Sequence, residues 1–265
     1  MKIRYDLSDA PAHKQAVAVV GTWDPVVDAH RELFQRLGRR GKRAKLLPLV
    51  IIIHPSPARL VNPDPSICLE YSDIKSRIAL IQECARVNVL VVHFKKRDLD
   101  ASFSAFLHLV GSHSHLRELW LGASQSLGRG QQGSDVAIRD YTRKHNILLK
   151  RLPYVQRSRV GGEALRLIGE GKVRDATKSA GHAPIWARPR SGVLHVSWPP
   201  GEYLVIPVVK PSFTAGPATG VIPLRLSTTI TGRRQRLDWP RRDVEWLAFL
   251  AGPADKKARR QIKEG

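Results

Sequence analysis

Five short apolar runs, separated by amphipathic stretches, constrain this chain more than any other feature of its N-terminal half. They are Ala16–Val20, Leu46–Ile53, Val89–Val92, Leu119–Leu121 and Ile147–Leu149. Between them, Asp28 to Leu37 sets Leu33, Phe34 and Leu37 at helical spacing, and Asp73 to Val87 puts Ile74, Ile78, Ile81 and Ala85 on one helical face. Phe103–Val110 and Asp135–His145 also read as helices. Strands that are apolar throughout and alternate with helices predict a parallel sheet covered on both faces. Right-handed crossovers then give a doubly wound α/β domain. In such sheets ligands bind beyond the carboxyl ends of the strands.

From about Ser191 the pattern changes. Val193–Val196, Tyr203–Ile206 and Val221–Leu226 read as strands divided by Pro- and Gly-rich turns, and Asp243–Phe249 as a short helix. The expected division is an α/β domain over 1–188 and a small β-rich module over 189–265, ending in the basic tail Lys256–Lys263.

Charge narrows the partners. Lys and Arg number 44 against 23 Asp and Glu, a net charge of +21, with a pI near 10.7. The surplus suits anionic partners, or else records arginines on solvated faces. Cys68 and Cys84 fit no disulfide framework or metal spacing. His113 and His115 have no neighbouring ligand to complete a metal set, so no metal site is expected. No apolar run has signal-peptide or membrane-spanning length. The expected setting is the cytoplasm, without membrane contact.

The turn after the first apolar run reads Gly21-Thr22-Trp23-Asp24-Pro25-Val26-Val27-Asp28-Ala29-His30. It resembles the G-x-F-D-G-V-H-x-G-H turn of the FAD synthetases, the FMN adenylyltransferase module of bacterial bifunctional flavokinases. Gly21, Asp24, Val26 and His30 match, and Trp23 replaces Phe. Pro25 and Ala29 replace two glycines, and Val27 replaces the first histidine. His54-Pro55-Ser56-Pro57 stands where the family has E-P-H-P. Gly122 to Gly133 is similar to the family's G-x-D-F-x-F-G-x-x-x-x-G flavin loop. There Ser124 replaces Asp, and Gln125 and Leu127 replace aromatics. Leu167–Val173 and Ala180–Pro184 resemble the family's closing segments.

The resemblance implies adenylyl transfer from ATP, with Mg²⁺, to FMN to give FAD, and nucleotide and flavin as partners. No side chain attacks in that chemistry; the protein positions the phosphates and neutralises developing charge. By this resemblance His30 and Asp24 are the catalytic candidates. Gly21, Trp23, Gly122, Gly128, Arg129, Gly130, Gly133 and Arg159 are the binding candidates. The family's I-S-S-T-R-x-R clamp falls in register on Arg159–Leu165, where its hydroxyls and arginines are missing. Arg157, Ser158 and Arg159 just upstream, or the N–H groups of Gly161 and Gly162, are the substitutes in reach.

Each candidate also has a plainer reading. Asp24 reads as a site carboxylate or as a helix N-cap with Pro25 at the first helical position. His30 reads as a phosphate ligand or a surface histidine, and Arg129 as a phosphate contact or a solvated charge. Gly128, Gly130 and Gly133 read as a flavin-proximal loop or a flexible one. His54 and Ser56 read as turn residues. The riboflavin kinase signature G-x-P-T-A-N has no counterpart in the C-terminal part, so kinase activity is not expected. Two functions follow: an FMN adenylyltransferase, or an inactive paralogue that binds nucleotide or flavin for regulation or protein interaction. An acidic partner is compatible with the charge. Nucleic-acid binding through Arg39–Arg43 and Arg233-Arg234 ranks last, since no aromatics are arranged to stack on bases.

Overall fold

The computed structural model describes residues 2–5, 15–61, 70–113, 115–123, 125, 127–128, 133–152, 159–190, 193–196, 198, 201–208, 222–228, 235–239 and 246–255. Two compact units form. One comprises residues 1–22, 31–62 and 84–156; the other comprises 23–30, 63–83 and 157–265.

In the first unit, β1 (Lys2–Tyr5), β2 (Gln15–Gly21), β3 (Leu47–His54), β4 (Asn88–His93), β5 (His115–Gly122) and β6 (Leu148–Leu152) form one sheet in the order β1-β4-β3-β2-β5-β6. The five strands from β2 to β6 are parallel. Only β1, which the apolar pattern did not announce, runs antiparallel, along β4. The doubly wound parallel fold is therefore present. Its helices are α1 (Asp28–Ala44), α2 (Pro57–Val61), α3 (Ile74–Cys84), α4 (Phe103–His113) and α5 (Asp135–Lys144), with α3 mostly in the second unit.

Residues 16–20 of β2 and 49–52 of β3 are almost wholly buried, as a strand covered on both faces must be. Phe106, Leu107 and Val110 of α4 and Ile138 of α5 close over them. β2 lies between β3 and β5, so the chain reverses its direction of winding there. The carboxyl end of β2, at Gly21, is the switch point where this class of sheet binds ligands.

The second unit holds α6 (Arg159–Gly169), α7 (Val173–Ala180) and a second sheet. Its strands are β7 (Ile185–Ala187), β8 (Val193–Val196), β9 (Gly201–Val208), β10 (Ile222–Thr228), β11 (Gln235–Asp238) and β12 (Trp246–Ala251), in the order β7-β12-β9-β10-β11-β8. All its pairings are antiparallel. Trp186, Trp198, Tyr203 and Phe249 meet in its core.

Two expectations change. Residues 246–249 form strand β12 and not the end of a helix, because β7 and β9 flank them and pair with their backbone. Leu247, Ala248 and Phe249 are all fully buried, so tertiary pairing overrides the helical reading. The second unit also does not begin at 189. Ala164, Ile168, Val173 and Ala176 of α6 and α7 pack into the core of the second sheet, and so does Tyr71 from far upstream.

Candidate active site

The turn after β2 begins with a strained residue. Trp23 sits at φ 52°, a region a bulky side chain rarely occupies and one that costs about 1–3 kcal/mol. The residue is 9% exposed, and its ring meets the His30 imidazole edge to face at 5.0 Å.

Asp24 is not a helix cap, because α1 starts four residues later at Asp28. Its carboxylate reaches across the sequence instead. Oδ2 accepts the Tyr71 N–H and Oδ1 the Ser72 N–H, both at 3.0 Å. Burial pushes its pKa up to about 6, opposed by the nearby Arg77 guanidinium and reinforced by Glu70. Arg77 is itself 2% exposed and stands 3.8 Å from Glu70.

The segment that holds Asp24 is fixed from behind. Trp198 Nε1 donates to the Glu70 carbonyl at 3.0 Å and Trp186 Nε1 to the Tyr71 carbonyl at 3.1 Å. The Tyr71 hydroxyl, wholly buried, donates to the His182 carbonyl. Asp73 caps α3 through the N–H groups of Lys75 and Ser76 and also accepts the Ala187 N–H. Every backbone polar group named here is satisfied, as a rigid buried segment requires.

His30 fills the capping role that Asp24 does not. The Val27 N–H donates to His30 Nδ1 at 3.3 Å, so a residue in the first turn of α1 reaches back to the position before the helix. Glu or Gln usually does this. The bond places the proton of the neutral ring on Nε2. Burial pushes the His30 pKa down to about 4, with a backbone hydrogen bond to Pro25 acting the other way. At neutral pH the ring is uncharged.

The first turn of α6 comes up against this turn. A Cβ on Gly161 would lie 3.6 Å from Pro25 Cδ, while one on Gly162 would meet open space. The first four N–H groups of a helix have no partner within it, and the dipole there favours an anion. Arg159 is the first residue of α6. Arg157 and Ser158 lie outside the described residues.

The first unit carries a loop of its own. Beyond β5, Gln125 donates from Nε2 to the Val20 carbonyl at 3.0 Å and accepts the Gly122 N–H at 3.1 Å. It thus ties the loop to the end of β2. Arg151 of β6 secures the same loop, donating from Nη1 to the carbonyls of Gly122 at 3.1 Å and Gln125 at 2.7 Å.

The glycines differ in what they do. Gly128 has φ 82°, and a Cβ there would lie 2.6 Å from Phe103 N. A Cβ on Gly133 would lie 2.3 Å from Leu127 O. Leu127 and Gly133 form an antiparallel bridge that closes the loop at its neck. Gly122 would accept a Cβ at ordinary contact distance. Arg129, Gly130 and Ser124 lie outside the described residues. Next to this loop is a cavity of about 500 Å³ lined by Ile53, Val61, Phe94, Phe106, Gln125 and Leu127, among others. It sits at the carboxyl ends of β3 and β4, is mostly apolar and has Asp98 and Asp100 at its wall.

The family model for FAD synthetase matches residues 9–161, the stretch that carries the parallel sheet, the turn and the loop. The chain belongs to the FAD synthetase family. Bifunctional riboflavin kinase/FMN adenylyltransferases from Escherichia coli K12, Escherichia coli O157:H7 and Shigella flexneri are each 27% identical to it over 130 residues, 49% of this chain and 41% of the relative. The matched stretch is thus well under half of those relatives' length. A macrolide-efflux protein from Streptococcus pneumoniae has the same fold, with a TM-score of 0.62 at 14% identity. That likeness covers 97% of this chain and 93% of the other.

Tyr71, Ser72, Arg77 and Arg151 escaped the sequence reading, as did the structural roles of Gln125 and His30. In the sequence Gln125 marks only a replaced aromatic. Only the polar pair Ser72-Asp73 ahead of a helical pattern offered a local signal, and it announces a cap and not a partner for Asp24. Among the described residues no group of three His, Cys, Asp or Glu side chains could hold a metal ion. No helix among them is long and apolar enough to cross a membrane.

Proposed function

We propose that the protein is an FMN adenylyltransferase that uses MgATP and has no riboflavin kinase activity. An oxygen of the FMN phosphate attacks the α-phosphorus of ATP. The bond from that phosphorus to the bridging oxygen breaks, and pyrophosphate leaves with the electron pair and with Mg²⁺, which enters as part of the substrate. The turn over 23–30 carries this reading. It keeps the family's Asp and second His in a rigid setting, with the first turn of α6 against Pro25. In this reading those N–H groups and neutral His30 face phosphate oxygens as charge develops, and Gly21 and Trp23 flank the nucleotide.

The apolar cavity beside Gln125, Leu127 and Gly128 suits a flat, largely apolar ring such as the flavin's. Gly122, Arg129, Gly130, Gly133 and Arg159 complete the proposed binding set. Chromatographic detection of FAD after incubation with FMN and MgATP tests the proposal, and riboflavin with MgATP tests the expected lack of FMN formation.

One observation favours the second reading, a paralogue that binds without turnover. The His30 ring is engaged within its own turn by Val27 and Pro25, and Val27 replaces the family's other histidine. FMN binding without FAD formation is the outcome that reading expects.

A further inference from the structure

The first unit contains a second cavity, of about 250 Å³. It is lined by Arg36, Arg39, Arg40 and Arg43 of α1, Trp120 of β5 and Lys150 of β6. Positions 36, 39, 40 and 43 follow the i, i+3, i+4, i+7 pattern of one helix face and span about 10 Å along the axis.

The cations are not equivalent. Arg40 is taken: its Nε donates to both Glu118 oxygens, at 3.0 and 3.1 Å, and its Nη2 also bonds Oε1. Glu118 is 5% exposed and accepts Trp120 Nε1 at 3.3 Å as well. The Arg40 bond holds the Glu118 carboxyl below the usual range, so its charge is committed. Arg36, Arg39 and Arg43 are exposed, and none of them pairs with a carboxylate among the described residues. Lys150 Nζ stands 4.7 Å above the Trp120 ring, close enough for a cation–π contact. The cavity thus gathers Arg36, Arg39, Arg43 and Lys150 around Trp120, which is 3% exposed, while Glu118, which also feels Lys150, is bonded to Arg40.

A solvated basic face would spread its cations outward, whereas here they line a concavity. The Cβ atoms of successive arginines lie about 5–6 Å apart along the helix face, so the row presents cations at more than one point along its length. A strand of repeated monoanions can engage them all. We propose that this cavity binds the phosphodiester backbone of a nucleic-acid strand, at a site additional to the nucleotide chemistry. Lys150 covers the Trp120 face, which leaves no free ring for a base to stack on. Binding is therefore independent of sequence and strongly dependent on salt. The net charge of +21 favours the encounter.

The test is fluorescence anisotropy of a labelled single-stranded oligonucleotide of about 20 residues, between about 50 and 300 mM salt. It compares the wild type with an Arg36→Glu/Arg39→Glu/Arg43→Glu triple variant, which leaves the structural Arg40 intact. A charge-matched triple, Arg139→Glu/Arg143→Glu/Arg166→Glu, alters exposed arginines elsewhere. The expected result is that the first triple loses at least about tenfold more affinity than the second, and that its salt slope falls by about 2, near 0.7 per phosphate contact. If the glutamate triple fails to fold, the Gln triple at the same positions is read by the same slope. Equal losses in the two triples, an unchanged slope, or no wild-type binding at the lowest salt would each overturn the proposal.

Discussion

Asp24 Oδ2 accepts the backbone N–H of Tyr71 at 3.0 Å across 47 positions of sequence. This bond joins the turn after β2 to a segment fixed from behind by two tryptophan indoles. The residue that follows a strained Trp23 is thereby placed by the second unit's core, so the geometry of the turn depends on packing more than on its own sequence.

The two titrating groups of the turn oppose each other in the pH dependence of stability. Asp24 has a raised folded pKa, so its stabilising contribution is complete below about 3.8 and is lost as pH rises through about 6. His30 has a depressed one, so its contribution is complete above about 6.5 and is lost as pH falls through about 4. Each group exchanges at most one proton, so neither slope exceeds about 1.4 kcal/mol per pH unit. Urea midpoints between pH 4 and 6.5 are expected to climb with pH in Asp24→Asn relative to the wild type, and to fall with pH in His30→Gln. Parallel curves for all three proteins would contradict the assignment.

The loop glycines should separate on substitution. Gly133→Ala drives a methyl into the Leu127 carbonyl, and Gly128→Ala adds backbone strain at φ 82° to a clash with Phe103. Each is expected to lose about 1–3 kcal/mol in thermal or chemical denaturation. Gly122→Ala is expected to stay within about 1 kcal/mol, because its Cβ meets only ordinary contacts.

Restoring the family aromatic at position 125 should fail when done alone. Gln125→Phe removes the bond to the Val20 carbonyl and the acceptor for the Gly122 N–H. Leaving such groups without a partner costs about 1–3 kcal/mol each. A lower melting temperature together with weaker quenching of FMN fluorescence is the expected result. Unchanged stability would mean that water replaces the side chain.

The parallel sheet was legible because strands buried on both faces must be apolar throughout, and Ala16–Val20 and Leu49–Ile52 are. The switch point of the sheet was legible too, since Gly21 ends the strand that lies between β3 and β5. What holds the site was not. The partners of Asp24 lie 47 and 48 positions away, and backbone N–H groups leave no mark in a sequence. The helix expected at Asp243–Phe249 failed for a related reason: Trp246–Phe249 carries apolar residues that fit either period, and the neighbouring strands β7 and β9 decide between them. His30 looked like a phosphate ligand or a surface residue, and its cap on α1 emerges only once the helix start is fixed at Asp28.

That cap makes the decisive measurement possible, because Gln at position 30 can reach back to Val27 as the imidazole does while removing the ring. Pyrophosphate release and FAD formation are followed together with FMN and MgATP, for the wild type and His30→Gln. The account predicts equimolar pyrophosphate and FAD from the wild type. His30→Gln should keep its melting temperature and lose at least about 100-fold in rate, the scale of one transition-state donor moved out of place. Wild-type protein that binds FMN but releases no FMN-dependent pyrophosphate would contradict the account.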